Sequence, residues 1–298
     1  MSTESNYYVP EQSRLPIMAA TGLGFIAYGA GSWVQGGNAM FFLAGALILA
    51  FTLYTWFSLV IKENMAGMNS DQLKRSYVWG MGWFIFSEVM FFAVFFGSLY
   101  YVRNLALPWL GNETNTLLWD GFEAAWPLMT TPDMVANGEA AQFVGPAENM
   151  SFPGWGKLFS WLPLWNTIIL MSSSVTVHIA HTAIKNNNRG KFNLWLGITV
   201  ALGAIFLVLQ VVEYMHAYQH MGLTLETGIY GTTFFMLTGF HGAHVTMGTI
   251  MLLIQFLRGL KGHFNAEDQF GFEAASWYWH FVDVVWLFLF AAIYVWGS

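Results

Sequence analysis

The sequence predicts an all-α polytopic membrane protein with seven transmembrane helices, and three observations carry that prediction. Of 298 residues, 56% are apolar and only 9% are charged. A soluble domain averages roughly 25% charged residues, so this chain cannot cover an ordinary water-facing surface. Mean hydropathy is +0.48, far above what a single-span anchor on a soluble body would give. Aromatic residues reach 18%, with 15 Trp, as expected where indoles line two membrane–water interfaces. Cysteine is absent, which excludes disulfides, thiolate metal sites, iron–sulfur clusters, c-type haem attachment and cysteine nucleophiles. A formal charge of −6 without a basic run argues against nucleic acid as a partner.

A membrane-crossing helix needs about 20 mostly apolar residues. Span 1, residues 15–33, follows Arg14; the residues before it lack a basic n-region and no cleavage site follows, so it is not a cleavable signal. Span 2, residues 39–61, is separated by Lys62, Lys74 and Arg75 from span 3, residues 77–102. Span 4 covers residues 158–184; Lys185, Arg189 and Lys191 part it from span 5, residues 192–215. Arg258 and Lys261 lie between span 6, residues 229–257, and span 7, residues 271–296. All seven are too long and continuous for barrel strands. Nine of the eleven Lys and Arg residues fall on one side of such a topology, leaving only Arg103 and Lys157 on the other. The positive-inside rule then puts the N-terminus in the cytoplasm and the C-terminus outside.

Residues 103–157 form an external loop with six of the 17 acidic residues, Glu113, Asp120, Glu123, Asp133, Glu139 and Glu148, and five of the eight Pro. Its length is compatible with a docking role, although a loosely packed outer insertion is the simpler reading. Asn112-Glu113-Thr114 and Asn149-Met150-Ser151 fit a glycosylation pattern that is common by chance.

An ionisable group at the centre of a membrane helix costs about 2.5–3.5 kcal/mol, so each one needs a reason. Glu88 is mid-span in FIFSEVMFF and Asp283 in HFVDVVW; both read as carboxyls bonded to a neighbouring His or Ser, or as proton-relay groups. Glu88 is expected to be buried, uncharged and bonded to a His or hydroxyl on another helix. Glu213 and Glu273, nearer span ends, read as interfacial carboxylates reaching headgroups. His178 and His181, His241 and His244, and His216 and His220 pair at spacings of three, three and four, which put two imidazoles on one helix face. A pair is not a site, and packed, hydrogen-bonded histidines are the simpler reading. Ser172, Ser173, Ser174 and Thr176, with Gly239, Gly242 and Gly248, read as close-packing surfaces.

Five strings then resemble one family. FGFEAASWYWHFVDVVWLFLF at residues 270–290, YGTTFFMLTGFHGAHVTMGT at 230–249, FIFSEVMFF at 84–92, PLWNT at 163–167 and LGAIFLVLQVVEY at 202–214 are similar to segments of cytochrome c oxidase subunit III. The N-terminal YYVPEQSRLP resembles bacterial members. The resemblance implies helices 1–2 splayed from helices 3–7 around a V-shaped cleft filled by phospholipid, with parts at residues 1–68 and 69–298. It implies a subunit of an aa3-type oxidase without a catalytic centre, metal or cofactor of its own. Haems and copper belong to partner subunits I and II, and cytochrome c donates electrons to the complex rather than to this chain. The implied role is to stabilise subunit I, support proton uptake and bind phospholipid in a bacterial cytoplasmic membrane.

By the same resemblance, Trp56, Glu63, Arg258, Lys261 and His263 meet lipid headgroups, and Glu88, His181, Glu213, His241, His244, Glu273, His280 and Asp283 match the family's intramembrane polar positions. Ser58-Leu59 stands where the family often has Arg-Asp, and the His pair and Arg common in the 2–3 loop are replaced around Met68-Asn69 and at Val78. Histidine-based proton gathering by that loop is therefore not implied, and the pattern does not require His178. Two other function classes stand beside this one: a membrane enzyme holding a cofactor on its His pairs, and a proton-coupled carrier built on Glu88, Glu213 and Asp283. A haem band retained by the isolated chain would favour the former, transport by the reconstituted chain the latter.

Overall fold

The computed structural model describes residues 12–118, 122–128, 132–137, 150–225 and 227–297. Among them, seven helices are long and apolar enough to cross a membrane: α1 (Leu15–Val34), α2 (Met40–Met65), α3 (Asp71–Leu110), α4 (Leu162–Lys185), α5 (Arg189–Met221), α6 (Gly228–Leu260) and α7 (Phe270–Val295). No strand occurs among the described residues. This is the all-α, multi-pass membrane architecture expected from the sequence. The chain divides into two compact units, Met1–Gly80 and Met81–Ser298. The first holds α1 and α2, the second α4–α7 with most of α3.

The main departure from the expected spans is α3, which starts at Asp71 instead of residue 77 and runs to Leu110 instead of 102. Lys74 and Arg75 end the apolar run without ending the helix, because a helix satisfies its own backbone in water as well as in lipid. Ser70 Oγ accepts the Leu73 N–H at 3.3 Å, and Asp71 in the first turn complements the helix dipole. At the far end a π-helical stretch, Val102–Ala106, carries the chain past Arg103. The external connection therefore begins after Leu110 rather than at residue 103.

In the first unit, α1 and α2 meet at glycines. Gly22 and Gly45 are buried, and a Cβ on Gly45 would stand 2.6 Å from the Gly22 carbonyl oxygen. Only small residues permit such an approach, and in lipid close van der Waals contact largely replaces the hydrophobic drive.

In the second unit α7 is the central helix. Phe272, Ala275, Tyr278, Trp279, Val282, Trp286 and Leu289 repeat at helical spacing and are all almost fully buried. Trp279 fills the space left by Gly203 on α5 and Gly248 on α6, where a Cβ would lie 2.8 Å from the indole. Its Nε1–H donates to Ser173 Oγ on α4 at 2.9 Å. Thr176 of α4 bonds Thr199 of α5 at 2.8 Å, so Ser173, Thr176 and Gly248 pack between helices as expected. Ser172 and Gly242 do not: Ser172 is exposed and bonds back to the Ile168 carbonyl, and Gly242 faces open space. A run of small residues marks one face at most, and these two lie off it.

The end of α3 and the α3–α4 connection touch α6 and the residues that follow α7. The Arg103 guanidinium donates to the Trp296 carbonyl, and Trp126 Nε1–H donates to the Gly297 carbonyl at 3.0 Å. Together they satisfy carbonyls that the end of α7 leaves open. Trp126 also stands edge-on to Tyr230, with ring centres 6.0 Å apart, and the Met150 N–H donates to the Tyr230 hydroxyl at 3.2 Å. Asp120, Glu139, Glu148 and Asn149 of the acidic segment lie outside the described residues, as do the side chains of Glu113 and Asp133 and residues 7–11 of the N-terminal motif.

Candidate functional site

The intramembrane polar residues form separate contacts, not a single cluster. On α3, Glu88 Oε2 lies 2.8 Å from His244 Nε2 on α6. The other ring nitrogen, His244 Nδ1, is 2.6 Å from the Phe240 carbonyl oxygen one turn back. A carbonyl only accepts, so Nδ1 carries a proton and a second proton is shared between Nε2 and the carboxyl. Glu88 thus has the histidine partner expected of it. It is half-buried, not buried, with 22% of its side chain accessible, because α3 meets α6 and α7 along one edge only.

Glu88→Gln is expected to leave assembly intact and to cost under about 1 kcal/mol, because an amide can still bond His244. His244→Leu leaves the carboxyl unpartnered and should cost about 1–3 kcal/mol. Thermal melts of the purified protein in detergent measure both.

Nearer the basic end of the bundle, His181 Nε2 on α4 lies 3.0 Å from Glu273 Oε1 on α7, with both side chains half-buried. On the same two helices Ser174 Oγ bonds His280 Nδ1 at 2.9 Å. Asp283 Oδ2 stands 3.6 Å from that nitrogen, beyond hydrogen-bond reach. Asp283 is 3% exposed, and both its carboxylate oxygens lack a hydrogen-bond partner.

Glu213 corrects the interfacial reading. It is 2% exposed, inside the bundle, and accepts the Tyr294 hydroxyl of α7 at 2.5 Å and the Asn166 amide of α4 at 3.5 Å. Glu273 likewise bonds His181. Each lies near a span end along its own helix, yet faces a neighbouring helix. Beside Glu213, Tyr214 bonds Thr238 of α6 at 2.6 Å.

His241 is buried and bonds the Val282 carbonyl of α7 through Nε2 at 3.1 Å. His241 and His244, although three apart, therefore reach different helices. Among the described residues no group of three or more His, Cys, Asp and Glu stands close enough to hold a metal ion.

The lipid-contact candidates split between the two units. In the first, Trp56 is exposed and stacks on Phe57, ring centres 5.3 Å apart, while Glu63 is half-buried. In the second, Arg258 ends α6 with Nη1 on Gln255 Oε1 at 3.0 Å and its guanidinium 4.5 Å from the Phe264 ring centre. Its Nε is buried without a partner, and Lys261 is exposed. Burial, with Arg258 and Lys261 beside it, holds the His263 imidazole below its ordinary range. Its Nδ1 is also unpartnered. This face thus offers two cations and a neutral imidazole.

Comparison with known proteins bears on what these contacts serve. Residues 5–124 and 159–298 match the family model described as "Cytochrome c oxidase subunit III". "Cytochrome c oxidase subunit 3" of Drosophila melanogaster is 37% identical over 301 aligned positions, covering 100% of both chains. The same-named proteins of Dugong dugon and Petromyzon marinus are 36% and 35% identical, each over 98% of this chain and 97% of the relative.

Proposed function

This chain belongs to the cytochrome c oxidase subunit III family, and from that premise we propose that it is a non-redox subunit of an aa3-type oxidase that binds structural phospholipid, stabilises subunit I and sustains proton uptake. In this reading subunits I and II hold the haems and copper and receive electrons from cytochrome c. The proposed location is the bacterial cytoplasmic membrane, with the basic side inward. That location rests on the N-terminal segment and the charge bias, since the relatives named above are animal proteins. The polar contacts Glu88–His244, His181–Glu273 and Ser174–His280, with Glu213 and His241, act as fasteners that keep the helices of the second unit in register.

One observation supports the lipid role above the rest: at the α6 terminus the half-buried Arg258 and the exposed Lys261 set two cations beside the His263 imidazole. Cations at a membrane interface suit a phosphate, and each contributes roughly 1 kcal/mol toward an anionic lipid surface. Arg258→Ala with Lys261→Ala is expected to lower the phospholipid retained by the purified oxidase. Initial oxygen consumption should stay near that of the parent while activity decays faster during turnover. Lipid mass spectrometry beside a turnover time course checks this. Unchanged lipid with unchanged inactivation would reduce the two cations to topology signals, and an immediate change in the visible spectrum would overturn the non-redox assignment.

A further inference from the structure

We infer that His216 and His220 form a two-histidine site for a divalent transition-metal ion of the zinc type, at the end of α5 remote from Lys191. The two residues stand at the junction where α5 passes into a π-helical turn, Ala217–Met221. Ala217 and Met221 are buried there, whereas His216 and His220 are exposed, so the imidazoles share the outward face. Their ring centres are 5.1 Å apart with planes inclined at 37°.

That separation suits chelation. A zinc–imidazole bond of about 2.0–2.1 Å places the ring centre about 3.2 Å from the metal. Two such rings on one ion stand about 4.5 Å apart at a right angle and about 5.2 Å apart at the tetrahedral angle. The observed spacing lies close to the tetrahedral value.

A second, independent observation concerns what the rings do otherwise. His181, His241, His244 and His280 each hydrogen-bond a protein atom, whereas neither His216 nor His220 does so among the described residues. These two imidazoles are not packing elements, and their ring nitrogens are available. They are also within reach of an aqueous ion. Helix α5 has 33 residues, about 50 Å of helix against about 30 Å of hydrocarbon, and its apolar run ends at residue 215.

Imidazole suits zinc, copper and nickel. With two protein ligands, water completes the shell, which implies an exchangeable ion and not a structural one. The site lies apart from every contact assigned above and does not depend on the lipid or proton roles.

The test is calorimetric titration of the complete purified oxidase with zinc sulfate, comparing the parent with His216→Ala, His220→Ala and, as a control, His178→Ala. The parent should show a binding step that each of the first two variants weakens about tenfold or more, because losing one ligand forfeits the intramolecular gain of the second. His178→Ala, an exposed lone histidine on α4, should retain the step. An unchanged visible spectrum verifies assembly. Isotherms of His216→Ala or His220→Ala that match the parent would overturn the proposal. So would a loss in only one of the two, which would mean a single imidazole working with some other group.

Discussion

Trp279→Ala is expected to be the most damaging single substitution in the bundle. The indole is fully buried, and truncating it empties the space that Gly203 and Gly248 leave for it and removes the donor to Ser173. Buried Trp-to-Ala changes typically cost about 3–5 kcal/mol. The neighbouring helices cannot close the gap readily, because Thr176–Thr199 and Ser174–His280 hold the same layer in place. We expect the variant to be lost from the purified complex or released well below the parent's temperature in a detergent melt. Trp279→Phe keeps most of the volume but leaves Ser173 without its donor, so its melt should fall between the two. A Trp279→Ala complex that melts with the parent would show that α7 is not the central support described here.

Glu213→Leu should come next. It leaves the Tyr294 hydroxyl without its acceptor and removes an acceptor from Asn166, both inside the bundle, at about 1–3 kcal/mol for each orphaned group. Tyr294→Phe removes the opposite half of the same bond. If Glu213 and Tyr294 act as one fastener, Glu213→Leu with Tyr294→Phe costs less than the sum of the single changes, by about 0.5–3 kcal/mol of coupling. The same melts provide the cycle. Simple additivity would mean that the 2.5 Å contact does not tie α5 to α7.

Seven spans, their order and the special standing of Glu88, Asp283 and the histidines were legible in the sequence because apolar run length and stray polar groups are local signals. Pairings were not. Spacing along one helix says which residues share a face but not which helix that face meets, so Glu88 and His244 could be flagged separately and not joined. His241 and His244 show the converse: three residues apart, they turn to different neighbours. Tyr294 was missed because a tyrosine near a span end reads as part of an interfacial belt, and Asn166 because a lone amide in an apolar run has no periodic signature. The Val102–Ala106 stretch also has no compositional mark, so the overrun of α3 could not be anticipated from an apolar window.

Tyr230 bears on where this chain can accept inserted or deleted residues. Trp126 leans on its ring and Met150 bonds its hydroxyl, so the intervening stretch departs and returns at a single side chain. The closure entropy of a connection between two fixed ends grows only logarithmically, about 0.6 kcal/mol per doubling of its length. Residues can therefore be gained or lost between those anchors without moving α6 or α7. The match to the family lapses between residues 124 and 159, a stretch that contains this excursion. Length drift is close to neutral there and costly almost anywhere inside the bundle.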